Sequence, residues 1–123
     1  MDYKQISAQA LAYLGDSVIE IKVREYLIKK GLEKSKELNN ESKKFVTAIS
    51  QNKAYLNIMD LLTEEENDIF KRGRNSNHLN IPKSASIAEY KNATGFESVF
   101  GYLYLTGNNE RIDYLFSKAY FDS

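Results

Sequence analysis

Two acidic residues stand in stretches that are otherwise rich in apolar and small residues, and their types suit them to chemistry. Asp16 lies within residues 11–20, directly after Gly15, and Glu97 lies within residues 93–105. A carboxylate on an apolar helix surface is costly unless it is paired or bound to a cation. A glycine in a helix interior costs about 1 kcal/mol relative to alanine. Two such unfavourable residues side by side indicate a role in packing or in function.

The spacing of small residues around the two acids predicts that the acids meet. Ala12 lies one helical turn before Asp16, and Gly101 lies one turn after Glu97. Small residues on facing helices let the two backbones approach closely. If the helices cross at Gly15 and Gly101, the two carboxylates come together at the crossing. A pair of carboxylates in a partly dry cleft repels unless a proton or a cation lies between them.

The donor atoms at such a crossing would select a hard divalent cation. The chain has no cysteine, and its one histidine, His78, is expected on a loop surface. An all-oxygen site suits Mg²⁺ or Mn²⁺, and two carboxylates suffice for Mg²⁺ when substrate phosphates and water complete the shell. The metal would generate hydroxide and stabilise charge on a scissile phosphate. The alternative, which spacing leaves open, is that both acids face solvent and pair with Lys22 or Lys91.

A basic stretch supplies candidate contacts for phosphate groups. Residues 70–91 contain five Lys and Arg residues against one acid, a net charge of +4. The stretch is also rich in Asn and Ser, whose side chains donate to phosphate oxygens. The alternative is a helix end capped by cations and followed by a solvated loop. The whole chain has zero net charge, which argues against a general nucleic-acid coat protein but leaves a local basic face possible.

Hydrophobic periodicity predicts an all-α fold of about five to seven helices in a single domain over residues 1–123. Ser7 is a plausible N-cap, and Thr63 with Glu66 forms a capping-box pattern. Ser50 either caps a third helix or lies within one bent helix. The predicted helices cover about residues 7–30, 34–48, 50–62, 63–74, 86–107 and 109–121. Leu11, Leu14, Val18 and Ile21 share one apolar face of the first helix, and the residues expected to be buried in the second are Leu38, Phe45, Val46 and Ile49.

Composition also indicates the cellular compartment. No apolar run approaches the roughly 18 residues of a membrane span, and residues 1–5 do not resemble a signal peptide. The lack of cysteine fits a reducing environment. We therefore expect a soluble, cytoplasmic protein.

The two acidic stretches resemble the two acidic helices of the ribonuclease III catalytic domain. Residues 11–20 are similar to its signature helix, and residues 96–105 to its second acidic helix. The resemblance covers about residues 10–115 and includes no double-stranded-RNA-binding domain. Three further stretches together resemble the stand-alone branch of the family, Mini-ribonuclease III: residues 71–75, 81–83 and 93–97.

This resemblance implies an all-α endonuclease domain that acts on double-stranded RNA as a two-fold homodimer with Mg²⁺, for which Mn²⁺ can substitute. Asp16 and Glu97 match the family's metal-binding acids and are the expected catalytic residues. Tyr13 matches an aromatic residue that inserts into the partner subunit. For the stand-alone branch it further implies maturation of the 23S ribosomal RNA precursor, with a ribosomal protein as a candidate partner that presents the substrate. The expected RNA-binding residues are Lys71, Arg72, Arg74, Asn75 and Lys83.

The chain departs from the larger members of the family at acid positions. Gln9 and Ala12 occupy acid positions of the signature helix, and Thr94 occupies the one three residues before Glu97. The alternative function is therefore a module of the same fold that binds structured RNA or a ribosomal protein without cleavage. A third reading, a purely structural helical interaction protein, would leave the matched acids and the basic stretch without a role.

Overall fold

A computed structural model of the chain describes residues 2–76 and 83–121, and this part of the chain is entirely helical. The predicted all-α fold is therefore confirmed, while His78 and Pro82 lie outside the described residues. Two short 3-10 turns, Tyr3–Gln5 and Met59–Leu61, accompany the α-helices. The α-helices are α1 (Ala8–Lys29), α2 (Ser35–Val46), α3 (Ala48–Ile58), α4 (Glu64–Arg74), α5 (Ile87–Leu105) and α6 (Asn109–Tyr120).

Helix α5 is the central element of the fold. It packs against α1, α3, α4 and α6, while α2 packs against α1 and α3. Every residue from Ala93 to Leu103 is buried except Glu97, which is partly exposed. A helix buried on all sides needs no polar face. The single carboxylate in this buried stretch is therefore held by a rigid and well-packed element.

Helices α1 and α5 cross in backbone contact at two glycines. A Cβ atom on Gly15 would overlap the carbonyl oxygen of Glu97, and one on Gly101 would overlap the carbonyl oxygen of Leu11. Only glycine permits an approach this close. The predicted crossing at Gly15 and Gly101 is confirmed, and it places Asp16, the next residue of α1, beside α5.

Helix ends agree with most of the capping predictions. The Ser7 hydroxyl accepts from the Ala10 amide at 3.1 Å, so it caps α1 as predicted. Thr63 and Glu66 form the predicted capping box of α4. Helix α1 stops where Gly31 adopts a φ of 104°, a conformation that favours glycine.

The boundary between α2 and α3 differs from the prediction. Thr47, not Ser50, caps α3: the Thr47 Oγ1 accepts from the Ser50 amide at 3.2 Å. Thr47 is also extended, with a ψ of 157°, so α2 and α3 are two separate helices rather than one bent helix. Ser50 was a plausible cap by residue type alone, and the true cap lies three residues earlier.

Two residues predicted to be buried are exposed. Ile21 is 62% exposed and Ile49 is 36% exposed. On α1 the buried face includes Leu11, Gly15, Val18 and Val23, and Ile21 lies off that face. The helix has more than one apolar face, and the sequence does not say which one meets α5. None of the described helices has the length and apolarity needed to cross a membrane.

Candidate active site

The side chains of Asp16 and Glu97 lie within hydrogen-bonding reach of each other at the crossing of α1 and α5. Asp16 is exposed to solvent, whereas Glu97 is partly buried. The structure therefore brings together the two acids that the sequence singled out. Lys22, which could have neutralised Asp16, instead pairs with Asp113 at 2.7 Å.

Burial is the main cause of an unusual electrostatic state at Glu97. Loss of solvation, reinforced by the nearby Asp16 carboxylate, raises the pKa of Glu97 to about 9. The side-chain amide of Gln51 acts in the opposite direction and lowers this pKa. In the absence of a cation, Glu97 is therefore protonated at neutral pH.

This donor set fits a hard divalent cation. Both groups offer carboxylate oxygens, and a cation between them would offset both the burial of a charged Glu97 and its repulsion by Asp16. Among the described residues, no three or more His, Cys, Asp and Glu side chains gather into a metal-binding group. Glu20, one turn after Asp16, pairs with Arg24 at 3.5 Å. The protein would thus supply two carboxylates, and water and phosphate oxygens would fill the remaining positions.

A third polar side chain, Gln51, adjoins the acid pair and was missed by the sequence reasoning. It is 2% exposed, and it lies close enough to Glu97 to favour the ionised carboxylate. Its Nε2 atom nevertheless makes no hydrogen bond of ordinary geometry, so the two groups are adjacent without a formed bond. The signal was available: Gln51 shares one helical face with Ala54, Tyr55 and Ile58, all buried. An amide in an apolar stripe needs a partner.

The basic end of α4 packs against the stretch of α5 that also carries Glu97. A Cβ atom on Gly73 would lie 2.9 Å from the Cα atom of Gly95 and 3.0 Å from the Cβ atom of Ser98. Gly73 lies between Arg72 and Arg74. The close approach at Gly73 therefore holds this cationic segment within one helical turn of Glu97 along α5.

The candidate RNA-binding residues of this segment fall into two groups. Lys71, Asn75 and Lys83 are exposed and available for contacts. Arg74 lies over the Phe70 ring at 5.8 Å, and its Nε donates to the Asn75 side chain at 3.1 Å.

Arg72 differs from its neighbours because it makes structural contacts. Its guanidinium donates to the carbonyl oxygens of Lys4 at 2.8 Å and Ile6 at 2.6 Å. It thereby fastens the N-terminal segment to α4. The charge of Arg72 gave no indication of this role, because the contact joins residues that are far apart in the sequence.

Tyr13 projects from α1 into solvent and is 84% exposed. A groove of about 260 Å³ lies on the same helix, between α1, Tyr104 and the start of α6. Its lining includes Leu14, Ile21 and Tyr104. An exposed tyrosine beside an apolar groove is a surface that a second protein copy could cover.

Comparison with known proteins matches the chain to one family. The model of the Ribonuclease III domain matches residues 9–108, which include both acids. A Mini-ribonuclease 3 of Enterococcus faecalis is 41% identical over 116 residues, covering 93% of this chain and 88% of its own. A Mini-ribonuclease 3-like protein of Ilyobacter polytropus is 39% identical over 112 residues, covering 91% and 87%.

A solved structure shares the fold as well. The crystal structure of a Fusobacterium nucleatum protein superposes with a TM-score of 0.85 and 34% sequence identity, covering 94% of this chain and 93% of that one. The family match spans most of the chain, and the relatives are matched over most of their own length. The chain therefore belongs to the ribonuclease III domain family and is an endoribonuclease that acts on double-stranded RNA.

Proposed function

We propose that the chain cleaves double-stranded RNA in a Mg²⁺-dependent reaction, as a two-fold homodimer, at a site formed by Asp16 and Glu97. One observation carries the proposal: the two acids meet at the glycine crossing of α1 and α5. The same oxygen donors suit Mn²⁺, which can substitute for Mg²⁺.

Each acid has a distinct part in the proposed chemistry. When bound, the cation supplies an activated hydroxide and stabilises charge on the scissile phosphate. Asp16 is exposed to solvent, so RNA can reach it. Glu97 is held in place by the packing of α5. Because burial keeps a proton on Glu97 at neutral pH, cation binding displaces that proton. Uptake of the metal should therefore strengthen as the pH rises.

The exposed cations near the site fit the phosphate backbone of an RNA duplex. A-form RNA hides its base edges in a deep and narrow groove and presents phosphates and 2′-hydroxyls. Lys71, Asn75 and Lys83 are exposed and can donate to these oxygens. Few such contacts give modest affinity that falls steeply with salt. We assign Arg74 to the same surface and give Arg72 a mainly structural role.

The proposed dimer uses Tyr13 and the groove beside it. In a two-fold arrangement the Tyr13 ring of each subunit enters the apolar groove of the other, because the same surface serves both copies. The exposed Ile21 and Tyr104 side chains would be covered in the same step. In this dimer both acid pairs face the same RNA duplex, and each pair acts on one strand.

The proposed substrate is the precursor of 23S ribosomal RNA, in the cytoplasm. Support comes from the resemblance to the stand-alone branch of the family, because a precursor stem is a duplex of the kind that two symmetric sites can span. A ribosomal protein that presents this stem is the candidate partner. Cleavage of a precursor stem by the purified chain, with and without ribosomal proteins of the large subunit, tests both parts.

The central test incubates labelled duplex RNA with the chain in Mg²⁺ and in EDTA. We expect fragments with two-nucleotide 3′ overhangs in Mg²⁺ only. Asp16→Asn and Glu97→Gln should each lower cleavage at least about a hundredfold. Neither variant should melt below the wild-type chain, because Asp16 is exposed and glutamine resembles protonated Glu97 in shape but folds without taking up a proton. Full activity of either variant at saturating Mg²⁺ would contradict the assignment.

The sequence positions that lack an acid, Gln9, Ala12 and Thr94, define the alternative that the same assay tests. In that alternative the chain binds structured RNA or a ribosomal protein without cutting. A duplex that stays intact in Mg²⁺ despite measurable binding would support it. A chain that shows no gel shift at about 50 mM salt, where phosphate contacts are strong, would instead be a helical interaction protein.

A further inference from the structure

The side chain of Gln51 is an unusual feature of the interior. It is 2% exposed, and its Nε2 atom, which carries two N–H donors, is buried without a hydrogen-bond partner in the described part of the chain. Buried polar groups are nearly always satisfied in native proteins. A buried donor without a partner is costly, so a change at the site that supplies an acceptor would be favoured.

Among the residues that the structure describes, the contacts indicate Glu97 as the acceptor for this donor. The Gln51 amide lies close enough to Glu97 to favour the ionised carboxylate. The fold holds both groups firmly, because Gln51 lies on α3 and Glu97 on α5, and these helices pack together. The neighbouring Asn52 accepts from the Asn92 side chain at 2.9 Å, which adds a side-chain link between α3 and α5.

We propose that Gln51 is a positioning residue for the site: its amide holds the Glu97 carboxylate in the orientation that binds a divalent cation. The inference rests on the proposed function. Asp16 and Glu97 would hold the cation, and the Glu97 carboxylate would at the same time accept from Gln51 Nε2. The buried donor is then satisfied in the metal-bound state only.

An amide has the properties that this position requires. A lysine or arginine would donate as well, but its positive charge would repel the cation. A carboxylate would add negative charge to a pair that already repels. Glutamine donates without charge, and partners of this kind orient ligating groups in metal sites.

Substitution by a side chain of similar length and volume separates this role from a purely structural one. Gln51→Met keeps the volume and the helix propensity but removes the donor. If the amide positions Glu97, the variant should bind Mg²⁺ or Mn²⁺ about 10- to 100-fold more weakly. Its melting temperature without metal should stay equal or rise, because a buried unsatisfied donor has been removed. A structural amide predicts the reverse, a lower melting temperature and unchanged metal affinity.

Ser98→Ala is the matched control. Ser98 is buried beside Glu97, but its hydroxyl donates to the carbonyl oxygens of Thr94 at 2.9 Å and Ala8 at 3.2 Å. Its loss should lower the melting temperature and leave the metal affinity unchanged. Isothermal titration calorimetry with Mn²⁺ alone measures the affinities without any RNA.

A second measurement needs no variant of Gln51. In the ¹⁵N-labelled wild-type chain, the side-chain amide resonances of Gln51 should move as Mg²⁺ is added, while those of Asn57, which donates to the Ala119 carbonyl at 2.8 Å, should stay. Unmoved Gln51 resonances, or a Gln51→Met affinity within about twofold of wild type, would overturn the positioning role alone. A wild-type chain that binds no Mn²⁺ would overturn this role and the metal-dependent function together.

Discussion

Glu97 combines two properties at the scale of a single residue. It is the one partly exposed residue in the buried stretch from Ala93 to Leu103, and its pKa is raised to about 9 by burial and by Asp16. Without metal this carboxyl group is protonated, and it must lose the proton when a cation binds. Metal binding is therefore linked to pH.

The raised pKa predicts a pH-dependent stability in EDTA. Glu97 has an ordinary pKa of 4.5 and a folded-state pKa of about 9. Between these values the folded chain binds more protons than the unfolded chain, so the free energy of unfolding should fall as the pH rises. The slope is at most about 1.4 kcal/mol per pH unit. Urea denaturation at pH 5 to 9 measures it.

Glu97→Gln is the control for this prediction, because the variant cannot titrate at residue 97. It should flatten the decline, and saturating Mg²⁺ should remove the decline from the wild-type chain. An equally steep decline in Glu97→Gln would show that another group causes it.

Adjacent cations on α4 should behave differently on substitution. Lys71→Ala should weaken duplex binding and reduce the salt slope by about one, with the thermal melt unchanged, because Lys71 is exposed. Arg72→Ala should instead cost about 1 to 3 kcal/mol of stability, because its guanidinium donates to the carbonyls of Lys4 and Ile6. Gel shifts at several salt concentrations and thermal melts measure both. An unchanged melting temperature in Arg72→Ala would contradict the structural role of Arg72.

At the scale of elements, the site depends on how closely two helices approach. The backbone contact at Gly15 and Gly101 lets Asp16 reach Glu97. The contact between Gly73 and α5 places the basic end of α4 nearby. Glycines in these helices therefore determine where the charged side chains of neighbouring residues lie.

Gly15→Ala tests the crossing directly. The new Cβ would overlap the carbonyl oxygen of Glu97. A backbone atom cannot relieve such an overlap by changing rotamer, as a side chain can. We expect a loss of about 3 kcal/mol or more and of cleavage. Ser17→Ala, at an exposed position on the same helix, is the control and should change the stability little. A stable, active Gly15→Ala chain would mean that the helices separate without harm to the site.

At the scale of the whole molecule, a neutral chain can bind an RNA duplex if its cations are gathered on one face. The net charge is zero, yet Lys71 and Lys83 are exposed. A two-fold dimer doubles this basic surface without changing the net charge. Affinity should therefore depend on dimer formation as well as on individual cations.

Tyr13→Asp tests the dimer. Tyr13 is 84% exposed in the single chain, so the variant should fold with the same helix content and sediment as a monomer. Burying a carboxylate in an apolar groove is unfavourable. Leu56→Asp, at an exposed apolar position on α3, should leave the dimer intact. A Tyr13→Asp chain that remains dimeric would place the interface elsewhere.

The sequence by itself determined the class of the fold, most helix ends and the two acids. These features depend on local chemistry: periodicity, capping side chains such as Ser7 and Thr63, and an acid in an apolar run. The glycine crossing was also predictable, because small residues accompany both acids. Local rules could not choose the core-facing side of α1, so Ile21 was placed wrongly.

Only the tertiary structure decided which distant residues join the site. Gln51 reaches Glu97 because α3 packs on α5, and Arg72 fastens the N-terminal segment through contacts across more than sixty residues. Burial, and with it the raised pKa of Glu97, likewise depends on the surrounding helices. Desolvation is a property of the assembled fold, whereas a residue's type and spacing are properties of the chain.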